Sequence, residues 1–174
     1  YVDEAWEKGV RYFVVDQLPD QVRADTFYLL VDDTLKALQD LARGHRNQFP
    51  HPVIGITGSN GKTIVKEWLY SILKEDEAII RSPRSFNSQV GVPLSLSMIG
   101  PEHRLALIEA GISRKGEMDR LESMIHPDFG ILTSLGSAHD EGFPDRETKL
   151  VEKLKLFRSS RIVIAPASLV HSYP

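Results

Sequence analysis

The sequence predicts an α/β fold built on a mostly parallel sheet with helices on both faces. From residue 50 onward, short and almost continuously apolar segments such as VIGIT, ALIEA and RIVIA alternate with longer segments of helical periodicity. Strands buried on both faces are written this way, because a parallel sheet needs a covering helix after each strand. The first of these strands runs into a glycine-rich turn, GSNGKT, at the start of a helix. Ligands in such sheets gather at the carboxyl ends of the strands, where this turn falls.

Composition narrows the class. The chain has 174 residues, 41% hydrophobic and 26% charged, enough apolar material for a buried core. A formal net charge of -3 gives no support to a nucleic-acid or membrane-surface partner. The absence of cysteine excludes disulfides, thiolate metal sites and cysteine nucleophiles. No apolar run reaches bilayer length and no signal-peptide pattern opens the chain, so a cytoplasmic protein is expected. Tyr1 opens inside an amphipathic segment without an initiator methionine, and the last residues follow closely on a core strand. An excised piece of a longer protein is the expectation.

The elements follow in order. VDEAWEK reads as a short helix closed by Gly9, then RYFVVD and TFYLLV as strands. In DDTLKALQDLARGHRNQF, Leu35, Leu38 and Ala42 recur at helical spacing, and Asp33 or Thr34 can cap the start. Pro50 and Pro52 break that helix and mark a domain boundary, which divides the chain into residues 1–49 and 50–174. Beyond it come strand VIGIT, helix KTIVKEWLYSILKE, strand AIIRS and a helix near VGVPLSLSMI. Strand RLALIEAG, helix GEMDRLESMI, strand DFGILTSL, helix RETKLVEKLKLF and strand RIVIAP complete the alternation.

The glycine-rich turn carries the chemistry. Gly58, Ser59, Asn60 and Gly61 can turn backbone N–H groups inward as an anion nest, with the positive end of the following helix behind them. Lys62 would reach the β- and γ-phosphates of ATP, and the Thr63 hydroxyl would ligate Mg²⁺. The full pattern G-x-x-x-x-G-K-[ST] is shortened here, because Ile56 stands at its first glycine. The result is a P-loop NTPase-like arrangement. Such a loop serves kinases, GTPases, ligases and non-catalytic nucleotide-binding modules alike.

Residues further along discriminate among these. Glu109 closes the strand in ALIEAGIS, His139 follows a strand end in ILTSLGSAHDEGF, and Lys153 and Lys155 lie in LVEKLKLF. Each has a plain alternative: a solvated strand terminus, a loop histidine, a solvated helix face. Strand ends of one parallel sheet converge on one edge, however, so a carboxylate and an imidazole there could hold a second Mg²⁺. The strand that ends at Glu109 offers no Walker B aspartate and the chain has no N-K-x-D motif, which weighs against a kinase or GTPase.

Taken together, GITGSNGKT, SFNSQVGVPLSL, LIEAGIS, PDFGILTSLGSAHDEGF and KLVEKLKLF resemble, in order and spacing, the Mur ligase family of ATP-dependent amide-forming enzymes of peptidoglycan synthesis. FNSQVGVPLSL looks most like the branch that adds D-alanyl-D-alanine (D-Ala-D-Ala) to UDP-MurNAc-tripeptide; the third-residue-adding ligases and folylpolyglutamate synthase are the alternatives. The resemblance implies that Lys62 and Thr63 act as above, that Glu109 and His139 ligate the second Mg²⁺, and that Lys153 is the lysine that in many members is carbamylated and contacts that metal through its new carboxylate. Asn87 matches an active-site asparagine. Ser88 stands where the branch commonly has another asparagine, and Ile64 where it has Thr or Ser. The resemblance also implies three domains, with residues 1–49 the tail of the UDP-substrate domain and 50–174 the front of the ATPase. The parent would then be a ligase, in some bacteria fused to an alanine racemase, and this stretch alone inactive.

Overall fold

The computed structural model describes residues 1–136 and 142–170. Its first part contains α1 (Val2–Glu7), β1 (Tyr12–Val15), β2 (Phe27–Leu30) and α2 (Thr34–Arg46). The two strands pair in parallel as a separate two-stranded sheet, with Tyr12 stacked on Phe27 at 5.1 Å and Phe13 on Tyr28 at 5.6 Å. Asp33 caps α2 by accepting a hydrogen bond from the Lys36 amide at 2.9 Å. The helix ends before the sequence pattern does. The amides of Gln48 and Phe49 turn back to the carbonyls of His45 and Arg46 as the chain tightens toward Pro50.

Eleven further elements follow: β3 (Val53–Thr57), α3 (Lys62–Leu73), β4 (Ile79–Arg81), α4 (Gly91–Ser97), β5 (Leu105–Glu109), α5 (Glu117–Ile125), β6 (Phe129–Leu132), α6 (Arg146–Leu154) with a 3-10 turn (Lys155–Phe157), β7 (Ile162–Ile164) and α7 (Ala167–Val170). The five strands form one parallel sheet in the order β4-β5-β3-β6-β7. Parallel pairing and alternation agree with the predicted class. The short α7 has no counterpart in the sequence reading.

Strand β3 is central, with Val53 and Ile56 fully buried. From it the chain runs out to β4, returns to β5 and then crosses to β6. The direction of winding reverses at β3, which opens a crevice at its carboxyl end between β5 and β6. Right-handed crossovers in opposite directions place α3 on one face and α4 and α5 on the other. Consistent with this, α3 packs on β3, β4 and β5, whereas α2, α4 and α5 pack on one another. Strand β6 ends at Leu132, short of the sequence expectation, because Thr133 and Ser134 turn to bind the glycine loop.

Candidate active site

The turn between β3 and α3 owes its shape to two glycines and to a neighbouring loop. Gly58 and Gly61 have φ of +147° and +83°, a region that side chains rarely enter. A Cβ at Gly58 would also meet Thr133 Oγ1 at 2.1 Å. Residues 133–136 clamp the turn from outside. Thr133 Oγ1 donates to Asn60 O at 2.6 Å, and Ser59 Oγ donates to Gly136 O at 3.1 Å. The Ser59 amide donates to Ser134 O at 2.8 Å and the Asn60 amide to Ser134 Oγ at 3.1 Å. These two amides therefore face Ser134 rather than an inward nest. The start of α3, unlike those of α2 and α6, has no side-chain cap, so its first amides are the candidates for an anion.

Three side chains expected from the sequence meet beside that helix start. Thr63 Oγ1 donates to Glu109 Oε2 at 3.2 Å, and Asn87 Nδ2 approaches the same oxygen at 3.4 Å. Glu109 is wholly buried, so it is no solvated strand terminus. Its Oε1 accepts no hydrogen bond of good geometry among the described residues but lies 3.0 Å from the Lys66 ammonium. Ser88 accepts from the Gly91 amide at 3.1 Å and so helps to start α4, a local role that a serine fills readily.

Lysines form the other wall. Lys62 Nζ donates to Gly58 O at 2.9 Å, and Lys153 Nζ reaches the same carbonyl at 3.2 Å. Burial lowers the Lys62 ammonium pKa, against the pull of Glu109, and the charge of Lys149 lowers it further. Lys153 falls to about 8, first through burial and then through repulsion by Lys62 and Lys149. Lys155 turns away to Asp119 at 2.7 Å and Glu152 at 2.8 Å, which raises its pKa. Only Lys153 of that pair joins the site. A cavity of about 290 Å³ opens here, lined by Lys62, Asn87, Ser88, Gln89, Glu117 and Lys153 among others.

Sequence reasoning missed Lys66, Ser85, Ser134 and Lys149. Lys66 is fully buried against Glu109, Ser85 Oγ lies 3.3 Å from Thr63 Oγ1, and Lys149 Nζ donates to Gly136 O at 2.7 Å. Spacing held the only clue: Lys66 follows Lys62, and Lys149 precedes Lys153, by one helical turn. His139 lies outside the described residues.

Known proteins match this chain in sequence and fold. The model of the Mur ligase middle domain matches residues 56–169. UDP-N-acetylmuramoyl-tripeptide--D-alanyl-D-alanine ligase of Bacillus subtilis is 33% identical over 156 residues, covering 90% of this chain and 34% of the relative. The enzyme of that name from Treponema pallidum is 35% identical over 166 residues, covering 90% and 36%. A crystal structure of MurF from Acinetobacter baumannii superposes with a TM-score of 0.87 at 30% identity, covering 95% of this chain and 37% of that one. MurF ligase from Thermotoga maritima in complex with ADP gives 0.85 at 30% identity, covering 98% and 40%. The chain thus spans about a third of the length of the curated relatives it matches. With a family model over most of its length and relatives this similar across nine-tenths of it, the chain belongs to the Mur ligase family, with residues 56–169 matching the middle domain.

Proposed function

We propose that the full-length protein carrying this chain is an ATP-dependent, ADP-forming ligase that joins D-Ala-D-Ala to UDP-MurNAc-tripeptide through an acyl phosphate. The observation that carries the reading is the meeting, at one sheet edge, of an uncapped helix start, the Thr63–Glu109 contact and the two lysines on Gly58 O. The names of the relatives supply the substrates, and the ADP complex of one neighbour supports the nucleotide.

Each residue then has a task. Amides at the start of α3 bind the polyphosphate, and Lys62 leaves Gly58 O for the β- and γ-phosphates. Thr63 and Glu109 are hard oxygen donors side by side at the helix start, so these two would hold Mg²⁺, with His139 the further ligand expected for a second ion. When bound, Mg²⁺ supplies positive charge against the phosphate oxygens. Asn87 orients the Glu109 carboxylate. A carboxylate oxygen of the tripeptide attacks the γ-phosphorus and ADP leaves. The D-Ala-D-Ala amine then attacks the acyl carbon, phosphate departs, and the nitrogen loses a proton as the amide forms. Holding the anionic partners in line supplies much of the acceleration.

Lys153 has a separate role in this reading. With a pKa near 8, roughly one amine in ten is neutral at pH 7. A neutral amine can attack CO2, forming an N–C bond and releasing a proton, which leaves a carboxylate on the lysine. The same reading divides the chain into residues 1–49, the tail of the UDP-substrate domain, and 50–174, the front of the ATPase domain. The separate two-stranded sheet supports that division. No helix among the described residues is long and apolar enough to cross a membrane, and the cytoplasm, where ATP is found, is the proposed compartment.

The test is phosphate release by the full-length protein with ATP, Mg²⁺ and UDP-MurNAc-tripeptide, with and without D-Ala-D-Ala. Release should require both acceptor and dipeptide, and Lys62→Ala should lower it by about 10³-fold, as removing a phosphate clamp does. Release that follows a single amino acid instead would refute the dipeptide branch, and silence with every Mur substrate would refute the ligase.

A further inference from the structure

We propose that Lys66 makes divalent-cation binding at Glu109 conditional on a bound nucleotide. The inference rests on the ATP-binding reading above and deepens it. Lys66 and Glu109 are both 0% exposed, and Lys66 Nζ lies 3.0 Å from Glu109 Oε1. The ammonium cannot swing away. It donates to Ser82 O at 2.7 Å and to Arg84 O, and its remaining neighbour is Glu67 Oε1 at 3.2 Å. Glu67 is itself held by Arg81 Nε at 2.9 Å. Ser82 Oγ in turn accepts from the Glu109 amide at 3.1 Å, so cation and carboxylate share one rigid frame.

The charge of Glu109 is therefore matched before any metal arrives. Lys62 also acts on Glu109 through space, and the charges of Lys62, Lys149 and Lys153 act on one another. A dication approaching alone meets this group of ammonium charges, and the carboxylate it needs is already neutralised. A polyphosphate changes the sign of the site. It brings several negative charges to the start of α3 and draws Lys62 from Gly58 O to itself. Lys62 is then the charge that moves and Lys66 the one that stays. Cation and nucleotide bind cooperatively as a result, because each supplies charge that the other needs.

The full-length protein, stripped of metal, is titrated with Mn²⁺ alone, and free Mn²⁺ is followed by electron paramagnetic resonance. Wild type should show no saturable site below about 1 mM. Lys66→Met should acquire one, at least about tenfold tighter, and the further change Glu109→Gln should abolish it. Wild type that takes up Mn²⁺ alone as tightly as Lys66→Met overturns the proposal. If Lys66→Met does not fold, the wild-type arm decides by itself. Saturable sub-millimolar binding that Glu109→Gln removes refutes the idea, and its absence supports it. Calorimetry with ATP in excess EDTA separates this proposal from the reading it rests on. ATP binding without metal is expected; no ATP binding with or without Mn²⁺ refutes the nucleotide reading itself.

Discussion

Lys153 shows how position changes the chemistry of a residue. In the sequence it is one of two lysines at alternate places on a helix, next to Lys155 in every respect but one. Folding buries Lys153 at 1% exposure and leaves Lys155 paired with acids at the rim. A buried ammonium near other ammonium groups loses its proton more easily, hence the fall from 10.5 to about 8. The unfolded chain then binds more protons than the folded one between pH 8 and 10.5. Lys153 therefore costs stability below pH 8, and that cost is relieved as pH rises through this window. With ¹³C-labelled bicarbonate, NMR should detect a carbamate signal that climbs as pH passes about 8 and is missing in Lys153→Arg. A midpoint near the ordinary lysine value would contradict the burial argument.

Among the elements, β6, α6 and the 3-10 turn act as one device that delivers Lys153. Asp145 caps α6 by accepting from the Thr148 amide at 2.6 Å, and Asp33 does the same for α2. The Asp33 cap was readable in sequence as a short acidic residue just before a helical pattern, and Asp145 follows the same rule. The helix stops at Leu154 and tightens, which lays the Phe157 ring on Gly130 of β6. A methyl at Gly130 would lie 2.3 Å from that ring, so Gly130→Ala must push Phe157 and the turn outward. Urea unfolding should show a loss of about 1–3 kcal/mol, typical of an overpacked core. The kcat should fall with it, because Lys153 lies four residues before Phe157. Unchanged stability would mean that the turn is softer than its packing implies.

On the scale of the molecule, Arg46 ties the first part of the chain to the second. At the end of α2, its guanidinium donates to Ile125 O at 2.9 Å, to His126 O at 3.0 Å and to Phe49 O at 3.1 Å. It also lies 3.6 Å from Asp128. Arg46→Ala leaves the buried carbonyls of Ile125 and Phe49 without this donor and should cost about 2–3 kcal/mol, read as an earlier unfolding midpoint in denaturant. A neutral outcome would show that α2 is held by apolar contact alone. No sequence signal marks this arginine, since its partners lie about 80 positions away. The same limit applies to the candidate site. Gly58, Gly61, Lys62, Thr63 and Glu109 were legible because each stands in a local pattern of strand end, turn or helix start, whereas Asn87 and Lys153 were singled out through the family resemblance. Lys66, Ser134 and Lys149 were not, because their work depends on what lies across the sheet edge. Local patterning by itself determined the alternation of strands and helices, the caps and the glycine turn, since backbone geometry and burial period are written in neighbouring residues. The tertiary structure alone decided which loop amides remain for an anion, which lysines lose solvent and which one neutralises Glu109, since desolvation and charge pairing come from residues far apart in the chain.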